Sequence, residues 1–323
     1  MDWRFSGLLL AARLWLRDHA SHMQHMTSVP TFATRPSFLG VERSDPGAAI
    51  CVAGIPYDLG TSNRPGTRFG PAAIRQASRM LVDGDHPIAG RAPAESDIAD
   101  IGDFRIAHGD IQGSLAAIEA QAKPLRHLVA LGGDHTITLP LLRAQAARGG
   151  GPLALVHFDA HVDTWPDSFG QRFGHGSPFY HAIEEGLIEP RRTVQIGIRS
   201  PMDRSVHDWT LGKGVTILFA EAVHERGPQA TAERIREVVG DAPAYLSFDI
   251  DALDPAFAPG VSHHEPGGLS VREVVSLIQR LDAPLVAADV VECNPEVDPS
   301  GITSYVAAKL VKEIAAAMHR VSR

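Results

Sequence analysis

Leu155-Val156-His157-Phe158-Asp159-Ala160-His161-Val162-Asp163 joins an apolar run directly to two carboxylates and an imidazole. The run reads as a buried β-strand. In extended backbone, successive side chains point to opposite faces, so Asp159, His161 and Asp163, two apart, converge just past its end. Oxygen and imidazole donors without a thiolate suit a divalent ion such as Mn²⁺, Zn²⁺ or Ni²⁺. A polar turn capped by an aspartate is the plainer alternative for this stretch alone.

Similar apolar runs recur on either side. Strands are predicted at 49–55, 128–131, 153–158, 193–198, 215–219, 244–250 and 285–291, with a weaker one before Gly102. Most lack polar alternation, as strands covered on both faces do. Helices are predicted between them at 71–82, 137–147, 231–239, 270–281 and 302–321. Pro71 suits a first helical turn. Ile302, Val306, Leu310, Ile314 and Met318 form one stripe at i+4 steps. This alternation predicts an α/β fold with a doubly wound parallel sheet. No repeat or composition break interrupts it, so residues 36–323 read as a single domain. Residues 24–48 are polar and contain proline, and read as an arm. Residues 1–35 are set aside as an N-terminal arm, a presequence or a cloning remnant.

The chain has 323 residues, 44% of them hydrophobic and 21% charged, enough for a large core. A net charge of −8 and a pI near 6.0 argue against nucleic acid as a partner. No stretch is long and apolar enough to span a membrane. Two cysteines, Cys51 and Cys293, make no disulfide framework, which suggests a reducing, cytoplasmic location.

Ligands bind such sheets where the strands end. Four predicted strand ends carry chemistry: Gly132-Gly133-Asp134-His135, Asp159 to Asp163, Asp249-Ile250-Asp251, and Glu292-Cys293-Asn294. Each alone is weak, since an aspartate there is often only a helix cap. Together they would crowd repelling carboxylates into one crevice. Two divalent ions would balance them.

Leu131-Gly132-Gly133-Asp134-His135-Thr136, Phe158-Asp159-Ala160-His161-Val162-Asp163 and Ser247-Phe248-Asp249-Ile250-Asp251-Ala252-Leu253-Asp254-Pro255 resemble the ureohydrolase family of arginases and agmatinases. The resemblance covers about residues 36–320 and is nearest in pattern to agmatinase. It implies a three-layer α/β/α sandwich around an eight-stranded, mostly parallel sheet. It also implies two Mn²⁺ ions, with Ni²⁺ as an alternative. One would be held by His135, Asp159, Asp163 and Asp249, the other by His161, Asp159, Asp249 and Asp251. Asp163, His175 and Glu292 match catalytic positions: Asp163 on the nucleophile, Glu292 on the guanidinium, His175 on the departing amine. The implied reaction splits a small guanidino substrate into urea and an amine. Family habit suggests a homotrimer or homohexamer.

The substrate is less legible. Arginases follow the DAHxD motif with an asparagine, where this chain has Thr164-Trp165. The segment from Gly54 to Pro71 looks like agmatinases and guanidino-acid hydrolases. Its Arg64 and Arg68 could pair a substrate carboxylate or merely neighbouring acids. Val261-Ser262-His263 departs from the usual agmatinase pattern and resembles plant-type arginases. Trp165, His263 and Asn63 are the candidate substrate contacts. Agmatine is the first expectation, with 4-guanidinobutyrate, 3-guanidinopropionate and arginine as alternatives. Two other classes compete: a single-metal deacetylase of related fold, which uses a paired-His motif where this chain has one His, and a non-catalytic partner subunit.

Overall fold

Leu153–Phe158 has no polar face to offer to solvent, and all six of its residues are buried. Such a strand needs cover on both faces. The computed structural model, which describes residues 36–82 and 97–321, supplies it. Its strands are β1 (Ile50–Gly54), β2 (Ile98–Asp103), β3 (Leu128–Leu131), β4 (Leu153–Phe158), β5 (Ile188–Ile198), β6 (Thr216–Phe219), β7 (Ala244–Asp249) and β8 (Leu285–Val291). They form one sheet in the order β2-β1-β3-β8-β7-β4-β5-β6, parallel throughout.

The helices are α1 (Gly70–Ser78), α2 (Ile111–Ala122), α3 (Thr138–Gly149), α4 (Pro178–Glu184), α5 (Arg204–Lys213), α6 (Ala220–Val239), α7 (Val271–Arg280) and α8 (Ile302–Val321). Alternate residues of β4 enter opposite cores. Val156 and Phe158 share one with Ile74 of α1, Ile235 of α6, Leu277 of α7 and Leu310 of α8. Leu155 shares the other with Ile118 of α2, Leu142 of α3 and Phe179 of α4. The result is the expected three-layer α/β/α sandwich.

Several elements differ from the sequence expectation for local reasons. Strand β5 starts earlier, because Glu189, Pro190, Arg191 and Arg192 hide its first half from an apolar count. Helix α6 runs back to Ala220 across a break at Gly227, whose φ of 70° and ψ of 171° are not helical. Only the half beyond Gly227 and Pro228 carries a readable pattern. Helices α2, α4 and α5 were not predicted; α5 buries only Val206 and Thr210, too little to write a stripe. Residues 36–40 are no loose arm. Phe38 and Leu39 are buried, and the Phe38 N–H donates to Asp100 Oδ2 at 2.6 Å. The N-terminal arm expected at 1–35 lies outside the described residues.

The topology creates the site. The chain lays β3 on one side and β4 on the other, and later fills the gap with β7 and β8. Leu131 pairs with Val290, Val290 with Phe248, and Phe248 with Phe158. Four adjacent strands therefore end at one level. The polar residues that follow open into one crevice at the carboxyl edge.

Candidate active site

Behind β3 the chain must turn sharply against its neighbours. A Cβ on Gly133 would lie 1.9 Å from the Tyr57 carbonyl oxygen, so only glycine fits there. Asp134 points away from the crevice; its Oδ1 accepts from Thr136 N and its Oδ2 from Gly60 N, at 2.9 and 2.8 Å. That turn sends His135 inward. Its Nδ1 lies 3.2 Å from Asp159 Oδ2, 2.9 Å from Asp163 Oδ2 and 3.3 Å from Asp249 Oδ2. Across the same carboxylates, His161 Nδ1 lies 3.3 Å from Asp159 Oδ1 and 3.1 Å from Asp251 Oδ2. All six residues expected to hold metal thus share one cluster, with Asp159 between the two imidazoles.

Burial and mutual repulsion set the electrostatics. Desolvation, then the Asp251 and Asp159 charges, hold the Asp249 carboxyl well above its usual range. Burial also raises Asp251, against the pull of His161. Burial would likewise raise Asp159, but His135, His157 and His161 outweigh it and hold that carboxyl well below its usual value. Four buried carboxylates sharing two imidazoles call for added positive charge. The donor set suits a divalent cation. His135 Nδ1 is buried among three carboxylate oxygens, yet makes no well-aligned hydrogen bond among the described residues. A ring nitrogen facing three oxygens at one point is a coordination geometry rather than a hydrogen-bonding one.

Proximity alone also groups His157 with His135 and Asp159 as a ligand set. Its ring nitrogens are both occupied, however. Nε2 lies 2.8 Å from Asp159 Oδ2, and Nδ1 3.2 Å from Gln195 Nε2, whose amide also donates to Val162 O at 2.6 Å. His157 therefore steadies Asp159 and is not itself a free donor.

Glu292 and His175 meet beside the cluster. Glu292 Oε1 accepts from the His135 backbone N–H at 2.9 Å and lies 3.0 Å from His175 Nδ1. Burial would lower the His175 imidazole, but the Glu292 charge outweighs it and lifts it to about 9. Two of these residues sit in left-handed backbone, Asp163 at φ 47° and Glu292 at φ 63°. Neither is glycine, and such strain clusters at functional sites.

A cavity of about 470 Å³ opens over Asp163, Asp249, Asp251 and Glu292. Trp165, His175 and His263 line it. The His263 ring centroid is 5.2 Å from that of His175 and 5.8 Å from that of His161. Asn63 is placed beside the cavity, with Nδ2 donating to Ser262 O at 2.9 Å, while Ser62 reaches the lining and His175 Nε2 at 2.8 Å. His264 turns out of the cavity onto the Pro259 carbonyl, 2.7 Å away. Glu265, Asp203, Phe169 and Ser200 also line the cavity. Asp203, Phe169 and Ser200 were missed because they lie on loops without period or motif, whereas Glu265 opens a Glu-Pro-Gly-Gly stretch whose side chain was given no role. Ser247 left a signal, since it stands two residues before Asp249 and so shares its face.

Carboxylates and imidazoles gathered over the carboxyl edge of a parallel α/β/α sheet form a candidate divalent-metal centre. A sequence model of the Arginase family matches residues 48–317. An agmatinase of Cronobacter sakazakii is 42% identical over 277 residues, covering 84% of this chain and 87% of that protein. The proclavaminate amidinohydrolase of Streptomyces clavuligerus is 42% identical over 299 residues, 88% of this chain and 93% of that protein. Its solved structure superposes with a TM-score of 0.86 at 40% identity, over 91% of this chain and 100% of that chain. The structure of a hypothetical agmatinase from Burkholderia thailandensis gives 0.84 at 40% identity, over 90% and 92%. The chain belongs to the arginase family, a family of binuclear metal enzymes, and is a hydrolase of guanidino compounds.

Proposed function

We propose that this chain is a manganese-dependent amidinohydrolase that converts agmatine to putrescine and urea. The observation that carries the substrate choice is the charge of the cavity. Among the described residues lining it, none is Lys or Arg, while Asp167 and Asp203 are exposed at it and Glu265 Oε1 lies 3.7 Å from His161 Nε2. A substrate with a second cation at its far end suits that lining, and one with a carboxylate does not. Arg68 is engaged with the buried Asp58 carboxylate, and Arg64 does not reach the lining. The reason for keeping a guanidino acid as an alternative is thereby weakened.

In this reading His135, Asp159, Asp163 and Asp249 would hold one ion, and His161, Asp159, Asp249 and Asp251 the other. Two divalent cations supply activation of water at neutral pH and neutralise the carboxylates. Glu292 Oε1 is used by His135 N and His175, whereas Oε2 is buried without a partner among the described residues. That oxygen is available to accept from the substrate guanidinium as a charge-assisted pair. Asp163 orients the attacking water by accepting one of its protons in a hydrogen bond. The water oxygen bonds to the guanidinium carbon, and the carbon–nitrogen bond to the substrate chain then breaks. Asp163 passes one water proton to the departing nitrogen, and the other replaces the proton that His175 gives up, so that urea leaves neutral and the amine as its ammonium. His175, held between Glu292 and Ser62, gives a proton to the departing amine nitrogen. Trp165 and His263 wall the chain of the substrate.

The similarity to a proclavaminate amidinohydrolase, equal to that to agmatinase, favours a guanidino acid as the second reading. Urea release by Mn²⁺-loaded and Ni²⁺-loaded enzyme should be compared across agmatine, arginine, 4-guanidinobutyrate, 3-guanidinopropionate and guanidine. Agmatine is expected to give the highest kcat/KM. A clear lead for arginine or a guanidino acid would overturn the substrate assignment.

A further inference from the structure

Below the cluster a column of polar side chains runs into the core on the α2–α4 side of the sheet. Its foot is Asp289 on β8, wholly buried and remote from the cavity lining. Asp289 Oδ2 accepts from Thr138 Oγ1 and from the Tyr245 hydroxyl, each at 2.7 Å. Its Oδ1 accepts from Ser247 Oγ at 2.7 Å. Ser247 Oγ also lies 2.8 Å from His135 Nε2. No motif or ligand role accounts for a carboxylate in this position. A charge buried this deeply is costly unless it is fully hydrogen-bonded.

A hydroxyl has one proton to give. Ser247 gives its proton to Asp289, which as a carboxylate can only accept. Toward His135, Ser247 can then only accept, so Nε2 must carry a hydrogen. The lone pair of His135 is left on Nδ1, the nitrogen facing Asp159, Asp163 and Asp249. We propose that Asp289, acting through Ser247, is a positioning residue that fixes the orientation and tautomer of His135 for metal binding. This rests on the metal centre proposed above. Hydrogen-bond partners behind a ligating imidazole commonly alter metal affinity by about 10–100-fold.

Asp289→Asn tests the polarity of the relay at nearly constant shape. The asparagine keeps its oxygen toward Thr138 and Tyr245, because the flipped amide would deprive two hydroxyls of their acceptor rather than one. Its NH2 then faces Ser247, whose proton turns onto His135 Nε2 and drives the imidazole hydrogen to Nδ1. Mn²⁺ binding by the metal-free protein is followed by titration and by elemental analysis after dialysis against a chelator. Wild type should hold two ions. Asp289→Asn should hold one of them about 10–100-fold more weakly and leave the other unchanged. Ser247→Ala removes the acceptor without reversing the relay, so it should weaken the same ion by a smaller factor. A folded Asp289→Asn protein with wild-type affinity for both ions would overturn the relay. Should that variant not fold, wild-type affinity for both ions in Ser247→Ala would overturn it equally. Wild type holding fewer than two ions would overturn the metal centre itself, and the relay with it.

Discussion

His175 Nδ1 and Glu292 Oε1 stand 3.0 Å apart, in a pair separated by 117 positions in sequence, at the wall between the carboxylate cluster and the cavity. The glutamate fixes the imidazole, and the imidazole faces the substrate space. His175→Ala should therefore lower kcat by about 10²–10⁴-fold, the usual weight of a positioned acid or base. Two Mn²⁺ ions should remain bound, since His175 is not a ligand. Loss of metal together with activity would assign the residue a different role.

The same pair should shape the pH dependence of stability in the metal-free protein. The His175 imidazole is lifted from 6.5 to about 9, so its stabilising contribution is complete below about 6.5 and disappears as pH rises through 9. Burial opposes ionisation of Glu292, but His175 and the His135 N–H prevail and hold its carboxyl below 4.5. Its contribution is present above that value and lost on acidification. The melting-temperature difference between wild type and His175→Ala should be largest near pH 4.5–6.5 and shrink by pH 9.5. A difference that stays flat from pH 6 to 10 would contradict the pairing.

Asp249 is the carboxylate whose burial is most plainly unfavourable without a cation. Burial and the charges of Asp251 and Asp159 raise it well above its usual range. Asp249→Asn should abolish retention of both ions and urea release together. Metal-free Asp249→Asn should melt no lower than metal-free wild type, because an uncompensated buried charge has gone. Only wild type should gain melting temperature on addition of Mn²⁺. Activity surviving with a full metal complement would refute a bridging role.

The acidic outer cavity should tune substrate preference. Asp203 is exposed and lines it. Asp203→Lys should raise KM for agmatine a few-fold and lower it for 4-guanidinobutyrate, with both effects fading in high salt. Equal changes for the two substrates would remove charge from the explanation.

Much of this was readable from local chemistry. Leu128–Leu131, Leu153–Phe158 and Leu285–Val291 match their predicted strands because the first is wholly apolar and the other two are apolar but for His157 and Asp289. Asp159, His161, Asp249 and Asp251 were legible because period-two spacing survives past a strand end. What makes the cluster whole was not. The insertion of β8 and β7 between β3 and β4 depends on pairing between distant segments. The contacts of Ser62 with His175 and of Ser247 with Asp289 cross 113 and 42 positions. Spacing puts Ser247 on the face of Asp249, but nothing local to either serine announces its distant partner.

Metal stoichiometry and turnover measured on one sample test the two-ion amidinohydrolase most directly. Metal-free protein is titrated with Mn²⁺ while bound ions per chain and urea release from agmatine are followed in parallel. Urea release should rise with the second ion and reach its plateau at two ions per chain. Full activity at one ion per chain, or no urea at two, would contradict it.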